Sequence, residues 1–308
     1  MALAVLAGPL AAQTPPDWLR AQVESARLGT GYAQMVNLSA TPDLSAASYR
    51  IDADGPDAKL DLLRLPYESR WLALAPETDL YWKLAAGYLR FRETFSYASQ
   101  AGAGGSIASR WSAYSVTGGL VAKVRLGSGV TLEPALDVAI ARLDNRATYS
   151  GDAAVLQPLL GGLVFNWDTN AWLATPSLGL AWRTGDADGR ANVRGHVARS
   201  WIGSFGETDP VQHFNEAANI YSARAEYAAP TGLHAFGGSL DWVAFGGYSG
   251  FFGPNRDVLG FSSVGELGAG LELPVAPDRA SPDRWRLSAA YLAGPGVRGW
   301  TIDVSLQY

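Results

Sequence analysis

The chain has 308 residues and a net charge of −5, from 24 Lys plus Arg against 29 Asp plus Glu, which argues against non-specific binding to DNA or RNA. It contains no cysteine, which excludes disulfides, thiolate metal sites and a cysteine nucleophile, and no run of about 18 apolar residues that could cross a membrane as a helix. Charged residues make up only 17%, mean hydropathy is 0.00, and 35 Gly, 11 Trp and 13 Tyr point to an all-β chain whose outer face meets lipid.

Residues 1–12, within "MALAVLAGPLAAQTPP", have an apolar core and small residues at Ala11 and Ala12, the pattern of a signal-peptide remnant, although no basic residue precedes Ala12. The stretch "PPDWLRAQVESARL" (15–28) predicts a short helix with Trp18, Leu19, Gln22 and Ala26 along one stripe. Residues 13–45 thus form a helix-bearing segment and a candidate plug for a lumen. A helix lying loose in the periplasm is the alternative.

From residue 46 to 308 nearly everything reads with period two. Strands are predicted at 46–52, 58–65, 79–92, 114–126, 130–143, 171–184, 190–202, 218–229, 233–247, 262–273, 284–293 and 299–308. The hairpin across Gly127-Ser128-Gly129 carries the strongest signal. "LLGGLVFNW" (159–167) is apolar enough for a strand, but counting it alone breaks the even number that bacterial barrels use, so it is placed in a long external or inward-folded loop. Twelve strands give a closed antiparallel transmembrane β-barrel with a short N-terminal helix; fourteen, with another N-terminal strand, is the alternative. If Tyr308 ends in the periplasm, turns at 127–129, 185–189, 230–232 and 274–283 lie inside. Connections at 93–110, 145–170, 203–217 and 248–261 then lie outside, with the N-terminal segment on the periplasmic side.

In such a barrel the apolar face meets lipid and the polar face lines the lumen. The lumen-lining residues are Lys123, Arg125, Glu133, Asp137, Arg183, Arg194, His196, Arg224, Glu226, Asp241, Glu266, Glu272, Arg286 and Asp303. In the last strand, "WTIDVSLQY", Trp300, Ile302, Val304, Leu306 and Tyr308 face lipid. Aromatics near strand ends, among them Tyr81, Trp82, Trp111, Tyr114, Trp172, Trp182, Trp242 and Trp285, form two interfacial girdles. A soluble sandwich with the opposite facing fits the alternation equally well at any single residue.

The terminal "WTIDVSLQY" and the run "SVTGGLVAKVRLGSGVTLEPALDVAIARLDN" resemble strands of autotransporter β-domains. Over residues 31–308 the chain looks like a solitary outer-membrane autotransporter-type barrel. The resemblance implies a Gram-negative outer-membrane location and recognition of the C-terminal strand by the barrel assembly machinery. The expected setting is a monomer in outer-membrane lipid, with no nucleic acid, no metal and no cofactor.

Chemistry has few carriers. His196, His213 and His234 are the three histidines, and no Gly-x-Ser-x-Gly element accompanies them, so no catalytic residue is assigned. "DADGPD" (52–57) and "GDADG" (185–189) read as turns rather than calcium loops. A non-enzymatic, autotransporter-like barrel is the reading; a passive porin or a lipid-modifying outer-membrane enzyme are the alternatives.

Overall fold

The computed structural model describes residues 28–41, 47–51, 58–98, 104–186, 188–235, 238–274 and 284–307. Helix α1 (Gly29–Ala40) precedes twelve strands: β1 (Ala47–Ile51), β2 (Ala58–Ala75), β3 (Thr78–Ala98), β4 (Gly104–Gly127), β5 (Val130–Gly151), β6 (Asp168–Gly185), β7 (Arg190–Phe205), β8 (Asn215–Ala235), β9 (Gly238–Phe252), β10 (Ser263–Pro274), β11 (Arg284–Gly294) and β12 (Val297–Gln307). Each pairs antiparallel with its sequence neighbours, and β12 pairs with β1 to close the barrel. The closing joint is short. β1 meets β12 only from Ala47↔Thr301 to Ile51↔Val297, and β2 only from Ala47↔Leu62 to Ile51↔Ala58.

Facing decides between membrane and water. On β5, Leu136, Val138 and Ile140 are 54–66% exposed while the alternate Glu133 and Asp137 are buried. A soluble protein buries the first set and exposes the second. The inversion recurs on β12, where Trp300, Ile302 and Val304 point outward and Thr301 is buried. The side chains of Leu306 and Tyr308 lie outside the described residues.

All twelve predicted strands are present, most of them with longer arms. The predicted loop 93–110 is mostly strand, because Glu93–Ala98 pairs in unbroken register with Gly104–Ser109, leaving 99–103 as the connection. β2 continues through Pro66 to Ala75. A proline lacks the N–H a central strand must donate, but β1 stops pairing at Leu62, so nothing awaits that donor. Pro134 and Pro176 likewise sit where one neighbouring ladder lapses, between Val121/Ala135 and Val124/Leu132, and between Ala174/Trp201 and Ser177/Ala198. The predicted turn at 230–232 is a bulge instead: register breaks between Pro230 and His234, Gly232 has φ +79°, and the arms run on to join at 236–237. Between β4 and β5 the turn needs three consecutive left-handed residues, with φ of +95°, 52° and +79° at Gly127, Ser128 and Gly129.

"LLGGLVFNW" folds inward. After β5 come a 3-10 turn (Asp152–Leu156) and a short helix α2 (Gln157–Leu160), and then Leu163, Phe165 and Trp167 are buried. One end of the barrel therefore carries the connections 152–167, 206–214 and 253–262, and the other carries mostly tight turns. The predicted helix 15–28 and segment 1–12 lie outside the described residues, apart from Leu28.

The lumen and its N-terminal helix as the candidate functional site

Helix α1, "GTGYAQMVNLSA", has no amphipathic stripe because it has no wet side: ten of its twelve residues are buried. It packs on the inner walls of β2 to β8. Its first turn lies at the loop end, where Thr30 Oγ1 donates to Glu216 Oε1 (3.2 Å) and Gln34 Nε2 donates to the Asn255 carbonyl (3.2 Å). The Tyr32 ring sits 4.7 Å from Trp111, 4.9 Å from Trp167 and 6.4 Å from Phe214, filling the lumen at that level with aromatic carbon. Trp111 is therefore no girdle residue; only 3% exposed, it points inward. Residue 28 also enters from the loop end, opposite to the periplasmic placement expected from strand parity.

The last turn of a helix leaves carbonyls without partners, and here the barrel wall supplies them. The Ser39 carbonyl accepts from Ser115 Oγ (2.7 Å) on β4 and from Arg64 Nη2 (2.9 Å) on β2, and the Ala40 carbonyl accepts from Thr117 Oγ1 (3.0 Å). Arg64 also sets a cation against the negative end of the helix dipole. On β3 the wall is bare at Gly87, where a Cβ would collide with the Ser39 carbonyl oxygen. Three adjacent strands thus hold one helix end.

Toward the turn end the inner face is charged and paired. Lys123 bonds Glu68 (2.5 Å) and lies 4.2 Å over the Tyr81 ring, so Tyr81 also faces inward. Arg125 bonds Asp79 (2.7 Å), Asp137 bonds Lys83 (2.7 Å), and Glu133 bonds Arg194 (2.7 Å). Arg224 bonds Glu266 (2.8 Å) and stacks 3.9 Å over Phe245. Arg286 bonds Glu226 (2.8 Å) and Glu272, while Arg190 ties Glu272 (2.7 Å) to Asp241 (2.8 Å), and Arg284 completes the Asp241 pair (2.6 Å). Arg183, His196 and Asp303 line an adjoining cavity of about 320 Å³, and Ser305 Oγ donates to Asp303 (2.7 Å). All fourteen residues singled out as lumen-lining occupy inward positions. Sequence reasoning missed their partners Glu68, Asp79, Lys83, Arg190 and Arg284, although each stands on the polar period of its strand.

Around His213 the groups are not set as a relay. His213 Nδ1 lies 3.1 Å from Glu207 Oε1 and 3.4 Å from Ser204 Oγ, so acid and hydroxyl share one ring nitrogen, whereas a triad uses both. Ser204 Oγ is already engaged by the Phe214 N–H (2.8 Å). Burial disfavours the Glu207 charge, but hydrogen bonds from Ser204, its own backbone and His213 outweigh it and hold the carboxyl below its ordinary range. His234 lies on β8 beyond the bulge. Asp186 Oδ1 accepts the N–H groups of Asp188 and Gly189, which makes "GDADG" a turn; "DADGPD" lies outside the described residues.

A family model described as the solitary outer membrane autotransporter beta-barrel domain matches residues 56–240. Among solved structures, the β-domain of the Bordetella autotransporter Brka is similar at TM-score 0.50 and 16% identity, covering 85% of this chain and 95% of that one. The translocator domain of NalP from Neisseria meningitidis is similar at TM-score 0.56 and 10% identity, covering 93% and 96%. The transport unit of AIDA-I from Escherichia coli is similar at TM-score 0.51 and 11% identity, covering 96% and 99%. No curated protein matches the chain. With more than half of its length matched, and a closed barrel of twelve strands, the chain belongs to the family of solitary outer-membrane autotransporter β-barrel domains.

Proposed function

We propose that this outer-membrane barrel is a non-enzymatic translocator whose lumen is held closed by its own helix α1. The observation that carries the reading is the direction of that helix. Gly29 stands among the long connections and Ala40 ends at mid-wall against β2, β3 and β4, so residue 28 sits on the side of the long loops, the outer side in this class of barrel. A passive channel would need a path past the Tyr32, Trp111 and Trp167 rings, and their contacts favour the closed reading. The shared nitrogen of His213 supports the absence of hydrolytic chemistry. Outward Trp300, Ile302 and Val304 support lipid contact for a monomeric barrel and a C-terminal strand read by the barrel assembly machinery.

The native chain has no cysteine, so single cysteines report sidedness cleanly. In intact cells, Gln22→Cys is expected to react with a membrane-impermeant maleimide as Val258→Cys in an outer loop does, while Ser128→Cys in the β4–β5 turn reacts only after permeabilisation. Labelling of Gln22→Cys only after permeabilisation would reject the translocator orientation.

A further inference from the structure

The outer face of the barrel carries a feature that neither lumen nor helix uses. Following the register from strand to strand, Arg298 on β12 faces Arg50 on β1, which faces Lys59 on β2, then Arg92 on β3, Arg110 on β4 and Arg146 on β5. Six basic residues stand directly opposite one another across six consecutive strands, all of them exposed. Like charges in directly opposed positions destabilise a sheet, so anions gathered on this face stabilise it. Asp61 and Asp144 temper the row: Asp61 bonds Arg92 (2.6 Å) and lies 3.9 Å from Lys59, Asp144 bonds Arg146 (2.9 Å), and Arg298 is itself engaged, while Asp168 is taken by Arg142 (2.7 Å). Two more cations, Arg90 and Arg142, stand one or two rungs below on the same face, so basic groups outnumber these carboxylates. Asp52, Asp54 and Asp57 lie nearby in sequence, in the connection 52–57.

Position names the occupant. The row sits at the loop-end margin of the apolar band: Arg298 is one outward position above Trp300, Lys59 two above Leu63, and Arg146 three above Ile140. Five strand spacings of about 4.8 Å make the row roughly 24 Å long, and strands tilted by about 40° make it climb roughly 15 Å. A single phospholipid headgroup layer is thinner than that climb, whereas a phosphorylated oligosaccharide headgroup spans it. Arginine binds phosphate bidentately. We infer that this row is a docking site for a multiply phosphorylated glycolipid of the outer leaflet, an assignment that rests on the outer-membrane barrel reading.

The test uses the full chain reconstituted in phosphatidylcholine vesicles that contain rough lipopolysaccharide, the same glycolipid stripped of phosphate, or phosphatidylglycerol, followed by re-extraction and measurement of lipid retained per barrel. Wild type is expected to retain the phosphorylated glycolipid over both other lipids. The triple variant Arg50→Gln, Arg110→Gln, Arg146→Gln should retain on the order of a hundredfold less, at roughly 1 kcal/mol per basic group near the surface. Arg256→Gln, in an outer loop away from the row, should match wild type. Equal retention of the dephosphorylated glycolipid or of phosphatidylglycerol, or full retention by a correctly folded triple variant, overturns the site. Heat-modifiable migration on a gel reports folding of each variant, and the phosphatase arm needs no variant. Failure of wild type to insert into any of the vesicles would count against the barrel reading itself.

Discussion

At Val304 and Ser305 two adjacent side chains meet opposite surroundings: Val304 is 66% exposed on the apolar outer face, and Ser305 lines the inner cavity. Val304→Arg is expected to cost about 2–4 kcal/mol near the bilayer midplane and Ser305→Arg far less. The urea midpoint of the folded gel band in lipid vesicles checks this, and equal midpoints would contradict the facing. Alternation alone could not assign this facing, since a sandwich and a barrel share it; what discriminated in the sequence was the persistence of charge on one face of strand after strand. Glu207 belongs to a different setting, the outer connection 206–214. Its folded carboxyl titrates below the unfolded one, so its stabilising effect is complete above the ordinary range near pH 4.3 and fades as pH falls through the lowered value. Glu207→Gln should therefore speed amide exchange of 206–214 at pH 7, corrected for intrinsic rates, with the gap to wild type closing in acid. A gap that widens in acid would reverse the sign.

Among the elements, helix α1 was hardest to read. Its residues include two glycines in the first turn and no apolar stripe, because burial all round removes the 3.6-residue signal that marks a surface helix. The stretch 15–28 has that stripe, which predicts a helix there instead. Strands were legible because each keeps one polar and one apolar face, but their outer arms were not: Gly104–Ser106 has poor strand propensity and pairs only because β3 and β5 flank it. Pro66 stopped the predicted β2 early, since sequence cannot tell that the neighbouring strand ends at Leu62. The aromatic contacts of Tyr32 set the docking energy of α1. Tyr32→Ala should cost about 3–5 kcal/mol, the range for large aromatic truncations in a core, and raise single-channel conductance in planar bilayers through intermittent undocking. Unchanged conductance with a folded barrel would place the seal elsewhere.

For the whole molecule, the outer-membrane β-barrel was legible from composition and period, down to its twelve strands, whereas the direction in which the N-terminal segment threads it was not. Parity of strands fixes on which side the first strand begins only if that strand crosses the full wall, and β1 pairs over just five residues at the loop end. That short strand has a mechanical meaning. Tension applied from outside to residue 28 runs along α1 and then straight into β1, whose five rungs on each side carry the load before any of the long hairpins does. In force spectroscopy on membrane patches, pulling from the N-terminus should release Gly29–Ile51 first, 23 residues or about 80 Å of contour at ~3.5 Å each, at a force well below that needed for the β4–β5 hairpin. Pulling from the C-terminus should give no such early step. The barrel would then behave as an anchor with a built-in slip coupling, yielding its tether while the other eleven strands stay seated in the membrane.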